Sequence, residues 1–231
     1  MSVKAWVWRG LLALLLLILL YQFWIFLHVC YWVHRNPDST AFMRDRLAVQ
    51  LAANPKARLK HQWVEYERIS PHLKRAVVAA EDARFMQHGG FDWDGIRQAY
   101  EKNRKKGRLI AGGSTISQQL AKNLFLSSQR TPWRKAQEAV ITLMLEGMMS
   151  KRRILEIYLN VIEWGDGVFG AEAAARHYYG VGAQHLSGYQ AAKLAAMIPN
   201  PRYYDQHRST RFLERKAATI QARMRLVEVP K

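Results

Sequence analysis

Apolar and polar positions follow two different rhythms along this chain. From Gly10 to Val33 (GLLALLLLILLYQFWIFLHVCYWV) almost every position is apolar, and none is Asp, Glu, Lys or Arg. A helix over these 24 residues is long enough to span a bilayer. Trp6 and Trp8 at one end, and Tyr31 and Trp32 at the other, stand where interfacial aromatics belong. After an exit stretch, HRNPDST at 34–40, the spacing becomes that of amphipathic helices. Ser70-Pro71 predicts a helix to about residue 84, with serine as N-cap and proline at the first helical position. Thr131-Pro132 predicts another to about 148, and Ser150 caps one over 151–162. Gly180 closes a helix over 171–179, and Ser187 with Gln190 makes a capping box for one that stops before Pro199. A last helix spans about 209–226. Residues 61–68 (HQWVEYER) alternate weakly as a strand would, and 101–113 (EKNRKKGRLIAGG) reads as a basic loop. The expected fold class is mainly α: an N-terminal transmembrane helix within residues 1–36, followed by one α-helical domain over 37–231.

Charge changes this picture. The 231-residue chain carries a net +17, of which Lys4, Arg9 and Arg35 supply the whole charge of residues 1–36. The remaining +14 calls for an anionic partner. Lys4 and Arg9 ahead of the apolar run favour a cytoplasmic N-terminus and an extracytoplasmic domain. The run is longer than a signal-peptide core, and no small-x-small cleavage site follows it. A domain held there meets anionic head groups and lipid-linked phosphates rather than nucleic acid. Cys30, the single cysteine, excludes an internal disulfide and a cysteine-based metal cluster.

Three stretches carry candidate chemistry. In the helix after Pro71, Lys74, Val77, Val78 and Glu81 share one face. A carboxylate against apolar packing has a raised pKa and suits a general base or acid, although a pair with Arg84 or Lys74 would be the ordinary alternative. In GGSTISQQLAKNLF (112–125), Thr115 and Gln118 have capping-box spacing, and a glycine-rich helix start offers amides to an anion. Thr115, Gln119 and Lys122 then line one side, with Ile116, Leu120 and Leu124 on another, which is also what a plain amphipathic helix would show. In SQRTPWRKAQEAVITLMLE (128–146), Arg130, Arg134 and Lys135 crowd a helix start ahead of Glu138. Cations oppose the macrodipole there, and a bound polyanion would offset that cost. Arg134–Glu138 and Lys135–Glu138 are equally ordinary helix-surface pairs. Hydrolysis of a sugar–sugar bond needs a protonated carboxyl to help an alkoxide leave. A pyrophosphate leaves without one if cations neutralise it, so one base and a cluster of Lys and Arg point to group transfer from a phosphate donor.

Taken in order, these stretches resemble the peptidoglycan glycosyltransferases, the lysozyme-like domains that polymerise lipid II, in their monofunctional, membrane-anchored form. EDARFMQHGGFD is similar to the family's first motif, GGSTISQQLAKNLF to its second and RKAQEAVITLMLE to its third. KRRILEIYLNVIEWGDGVFGAEAAARHYYG (151–180) and AAKLAAMIPNP (191–201) resemble the fourth and fifth. The chain leaves no room for the transpeptidase domain of bifunctional relatives.

The resemblance implies roles. Glu81 would be the general base on the acceptor hydroxyl and Glu138 the second essential carboxylate. Asp82, Phe85 and His88 would shape the first motif around Glu81. Ser114, Thr115, Gln119, Lys122, Asn123, Arg130, Arg134 and Lys135 would bind the diphosphate and sugars. The partners implied are lipid II, the growing glycan strand, membrane lipids and other cell-wall synthesis proteins, with no nucleic acid. The place implied is the bacterial inner membrane. No cofactor is required by the resemblance, though a divalent cation (Mg or Mn) near Glu138 would be compatible with it. No H-E-x-x-H metal motif is present. Phe125-Leu126 and Met144–Met149 are candidates for surface that dips into the lipid interface. Two rival readings remain: a lysozyme-like lytic glycosidase and a non-catalytic, membrane-tethered anion-binding module.

Overall fold

The computed structural model describes residues 3–107, 112–127, 129 and 131–231. The apolar run lies inside one continuous helix, α1 (Val3–His34), long and apolar enough to cross a membrane. Thr40, fully buried, then caps α2 (Ala41–Ala53) by accepting from the Met43 amide at 3.1 Å. The Ser70-Pro71 signal opens α3 (Pro71–Glu81), where Ser70 Oγ also donates to the Leu186 carbonyl at 2.9 Å. This helix ends at Glu81, three residues short of the expectation, because Asp82 leaves helical geometry and turns its carboxylate inward.

The predicted basic loop is corrected in its first half. Residues 101–106 belong to α4 (Trp93–Lys106), capped by Asp92 and stopped by Gly107 at φ +62°. Arg104, Lys105 and Lys106 sit in its last turn, where the helix dipole favours cations. Residues 108–111 lie outside the described residues.

The remaining helices largely follow their caps. They are α5 (Ile116–Phe125), α6 (Pro132–Met148), α7 (Lys151–Val161), α8 (Ala171–Tyr179) and α9 (Gly188–Met197), followed by α10 (Pro201–Gln206) and α11 (Arg211–Arg223). Both predicted capping boxes form, at Thr115/Gln118 and Ser187/Gln190. Helices α2 and α10 have no counterpart in the sequence reading.

The weak strand at 61–68 reduces to β1 (Lys60–His61) and a 3-10 turn at Tyr66–Arg68. It joins β2 (Glu163–Gly165) and β3 (Val168–Phe169) in a three-stranded sheet of order β1-β3-β2. Strand β1 runs parallel to β3, pairing Lys60 with Val168 and His61 with Phe169, and β2 runs antiparallel to it.

Helix α7 is the pillar of the core: every residue from Ile154 to Val161 is buried. Its polar members are satisfied internally, as burial demands. Asn160 accepts from the Val64 amide and donates to the Val64 carbonyl, both at 2.9 Å, while Glu156 accepts from the Tyr66 amide at 3.0 Å. Helix α5 packs on α6 and α7; α3 packs on α9, which packs on α11. These neighbours bring the ends of α3, α5 and α6 together.

The interfacial candidates need one correction. Phe125 leans on Trp32 of α1, ring centroids 5.1 Å apart, and Leu126 and Met149 are buried. Leu143, Val140, Met148 and Trp133 are the exposed large apolar side chains of α6.

Candidate active site

The site begins where α3 stops. Glu81 is the last helical residue, half-buried, and its Oε2 accepts a hydrogen bond from Gln119 Nε2 at 2.8 Å. The other end of that amide, Oε1, accepts from the Tyr158 hydroxyl at 2.8 Å. Tyr158 is fully buried, and burial first, then the charges of Glu81 and Asp82, keep its phenol protonated. An ionised carboxylate can only accept, so the amide nitrogen faces Glu81 and the amide oxygen is left to accept from the phenol. Burial raises the pKa of Glu81 above the ordinary carboxylate range. The Gln119 bond and the charges of Lys216 and Lys122 oppose that rise, and Asp82 adds to it. Neither Arg84 nor Lys74 pairs with Glu81. Arg84 bonds Asp94 at 2.9 Å, and Lys74 sits over the Tyr66 ring, 3.7 Å from its centroid.

Asp82, His88 and Thr115 form a brace behind Glu81. Asp82 accepts from the Ile116 amide at 3.0 Å and bonds His88 Nε2 at 2.9 Å. Thr115 Oγ1 donates to the Gly90 carbonyl at 2.6 Å. The turn after α3 is thereby fastened to the start of α5. Phe85 is fully buried beneath it, with Lys151 Nζ 4.5 Å from its ring centroid.

Beside this brace opens a cavity of about 320 Å³. Gln119, Lys122 and Asn123 of α5 line it with Arg134 of α6, Tyr158 of α7 and Phe42 of α2. The opposite wall holds Glu163, Asn200 and Arg202. Glu163 is held by Arg46, Nε to Oε1 at 2.8 Å, and burial is the largest influence raising its pKa. Glu138 is buried behind Arg134, which donates to its Oε2 at 2.9 Å, and Lys135 bonds its other oxygen. Arg134 Nε is buried without a partner among the described residues, a donor left over for an anion in the cavity.

The predicted residues therefore divide. Gln119, Lys122, Asn123 and Arg134 line one cavity, and Glu81 and Glu138 each stand one hydrogen bond behind it. Asp82, Phe85, His88 and Thr115 support the site from within the fold. Ser114 is exposed and outside the cavity lining, and Arg130 lies outside the described residues. Tyr158, Glu163 and Asn200 lie in the fourth and fifth motif stretches but were given no role, and Phe42, Arg202 and Lys216 escaped prediction altogether. Phe42, Arg202 and Lys216 arrive through tertiary packing.

A half-buried carboxylate joined through one amide to a cation-lined cavity, in a helical domain, is an arrangement suited to group transfer from an anionic donor. Residues 48–225 match the Transglycosylase family, and the chain belongs to that family of glycosyl-transferring enzymes. It is 70% identical over 228 residues to the biosynthetic peptidoglycan transglycosylase of Methylobacillus flagellatus, covering 99% of this chain and 100% of that protein. Proteins of the same name from Laribacter hongkongensis (67% identical, covering 97% of this chain and 99% of that one) and Nitrosospira multiformis (62%, covering 100% of both) are similarly close.

Proposed function

We propose that this protein polymerises lipid II into β-1,4-linked peptidoglycan strands. Glu81 takes the proton from the 4-hydroxyl of the acceptor GlcNAc. That oxygen bonds the donor's anomeric carbon as the carbon–phosphate oxygen bond breaks. Undecaprenyl pyrophosphate leaves, and the α-linked donor becomes a β-linked product. Lys122, Arg134 and Arg130 neutralise the departing diphosphate, Glu138 holds Arg134 and Lys135 in place, and Asn123 contributes a polar contact to the sugars from the cavity wall. The observation that carries this reading is Gln119, which lines the cation-walled cavity and bonds the half-buried Glu81. A lytic glycosidase would need a protonated acid at the leaving oxygen, and cations there would work against it.

A divalent cation finds a poor seat beside Glu138. Both carboxylate oxygens are taken by Arg134 and Lys135, and no group of three or more His, Cys, Asp or Glu side chains gathers for a metal among the described residues. Helix α1 would cross the bacterial inner membrane with its N-terminus in the cytoplasm and residues 37–231 in the periplasm, beside membrane lipids and other cell-wall synthesis proteins.

Purified full-length protein incubated with lipid II should yield glycan polymer, and Glu81→Gln should abolish it while leaving the fold intact. Cleavage of finished glycan without polymerisation, or full activity in Glu81→Gln, would sink the reading.

A further inference from the structure

Helix α1 does not simply leave the domain at His34. Ile18, Gln22, Ile25, Val29 and Trp32 are buried or half-buried, while Leu19, Leu20, Phe23 and Leu27 stay exposed. The first set recurs at alternating steps of four and three, the spacing of a helix-pairing seam. Helix α6 packs along this part of α1. Arg153 closes the upper end, bonding the Trp32 carbonyl at 3.0 Å and the Arg35 carbonyl at 2.6 Å.

Gln22 is the polar member of that seam. Its Nε2 donates to Gln137 Oε1 at 2.6 Å. Gln137 is buried on α6, between Arg134 and Glu138 in sequence and next to the latter. Gln22 lies twelve residues before the end of α1, about 18 Å back along the helix axis and well inside the apolar run.

A leucine would fill this position without difficulty. An amide in an apolar setting must find a partner, and the Gln22 amide oxygen is buried without one among the described residues. The arrangement is a poor one for stability alone. What it supplies is register, since only one depth and one rotation of α1 against α6 lets the two amides meet.

We propose that Gln22 is a positioning residue for the active site. Its bond to Gln137 fixes the depth of the membrane helix against α6, and so holds Arg134 and Glu138 at the level where a lipid-borne diphosphate is presented. This rests on the reading of the site as one that acts on a lipid-linked pyrophosphate. A donor confined to a bilayer depends on that depth, whereas a short-chain donor free in detergent does not.

The test compares full-length wild type and Gln22→Leu on two substrates: lipid II in liposomes, and a short-chain lipid II analogue in detergent. Membrane insertion and thermal unfolding are measured alongside. Gln22→Leu should insert and fold with a modest loss of thermal stability from the orphaned Gln137 amide, lose about 10- to 100-fold in kcat/KM on the bilayer-held donor, and keep its rate on the short-chain analogue. Gln137→Leu should show the same substrate split, and the double variant should lose no more than either single one. Equal losses on both substrates would overturn the proposal by making the pair an ordinary folding contact. An unchanged rate in liposomes would overturn it directly. Wild type inactive on both substrates would overturn the functional reading itself, a result distinct from either of these.

Discussion

Gln119 donates to Glu81 at 2.8 Å, and this single bond joins the end of helix α3 to the cavity wall on α5. It stabilises the ionised carboxylate, against burial, which favours the neutral acid. The residue thus stands between two opposing demands. A general base needs a pKa high enough to accept a proton and low enough to be free of one at working pH.

The pH dependence should report this balance. The acid limb of kcat/KM is expected above the range of an ordinary glutamate, because burial raises Glu81. Gln119→Leu removes an influence that lowers the pKa, so that limb should move to still higher pH, with a fall in kcat. Stability runs the other way. A carboxyl with a raised folded-state pKa loses stability as pH climbs from its unfolded value through its folded one. Glu81→Gln, which cannot ionise, should therefore unfold at neutral pH no more easily than wild type. Rate profiles and thermal unfolding over the same pH range check both signs.

Lys122 should matter mostly in the transition state. It lines the cavity, and its charge also favours ionised Glu81. Charge on a leaving diphosphate grows as the bond breaks, so a cation facing it lowers the barrier more than it tightens ground-state binding. Lys122→Ala is expected to cost about 10²–10³-fold in kcat with a smaller change in KM. Steady-state polymerisation kinetics separate the two parameters.

Local chemistry made much of this fold legible. Ser70, Thr115, Thr131, Ser150 and Ser187 each cap the helix expected of them, because a cap needs only a hydroxyl and the next three amides. Basic residues before Gly107 were also a helix-stop signal, hidden by treating a charged run as loop. Strand β1 was only weakly legible, since its pairing partner β3 lies over a hundred residues away, and the short β2–β3 hairpin is too brief to show an alternating pattern. The same holds for the site. Glu81 and Lys122 could be named from spacing and motif order, but Arg202 and Lys216 reach it only through helices that pack late in the chain.

The brace behind Glu81 should be costly to break. Asp82 serves two donors, the Ile116 amide and His88 Nε2, in a buried setting. Asp82→Ala leaves both without their acceptor, and a loss of about 2–4 kcal/mol is expected. Because the brace fixes the start of α5, Gln119 should lose its aim and activity should fall with stability. His88→Ala removes one arm only and should cost less. Thermal unfolding in detergent beside polymerisation rates orders the two variants.

The glycine pair in the first motif should divide cleanly between its two members. Gly90 has φ +95°, a region that side chains rarely enter, and a Cβ there would lie 2.7 Å from Cγ2 of Thr142. Its carbonyl also receives the Thr115 hydroxyl, so a shift of this backbone moves the cap of α5. Gly89 has no such demand: a Cβ there would meet no atom within 4 Å. Gly90→Ala is expected to lose about 1–3 kcal/mol of stability and most activity, through strain in the turn and displacement of Thr142 on α6. Gly89→Ala should stay within about 0.5 kcal/mol of wild type. Thermal unfolding and polymerisation assays on the two variants, made in parallel, decide it, and equal effects at both positions would overturn it.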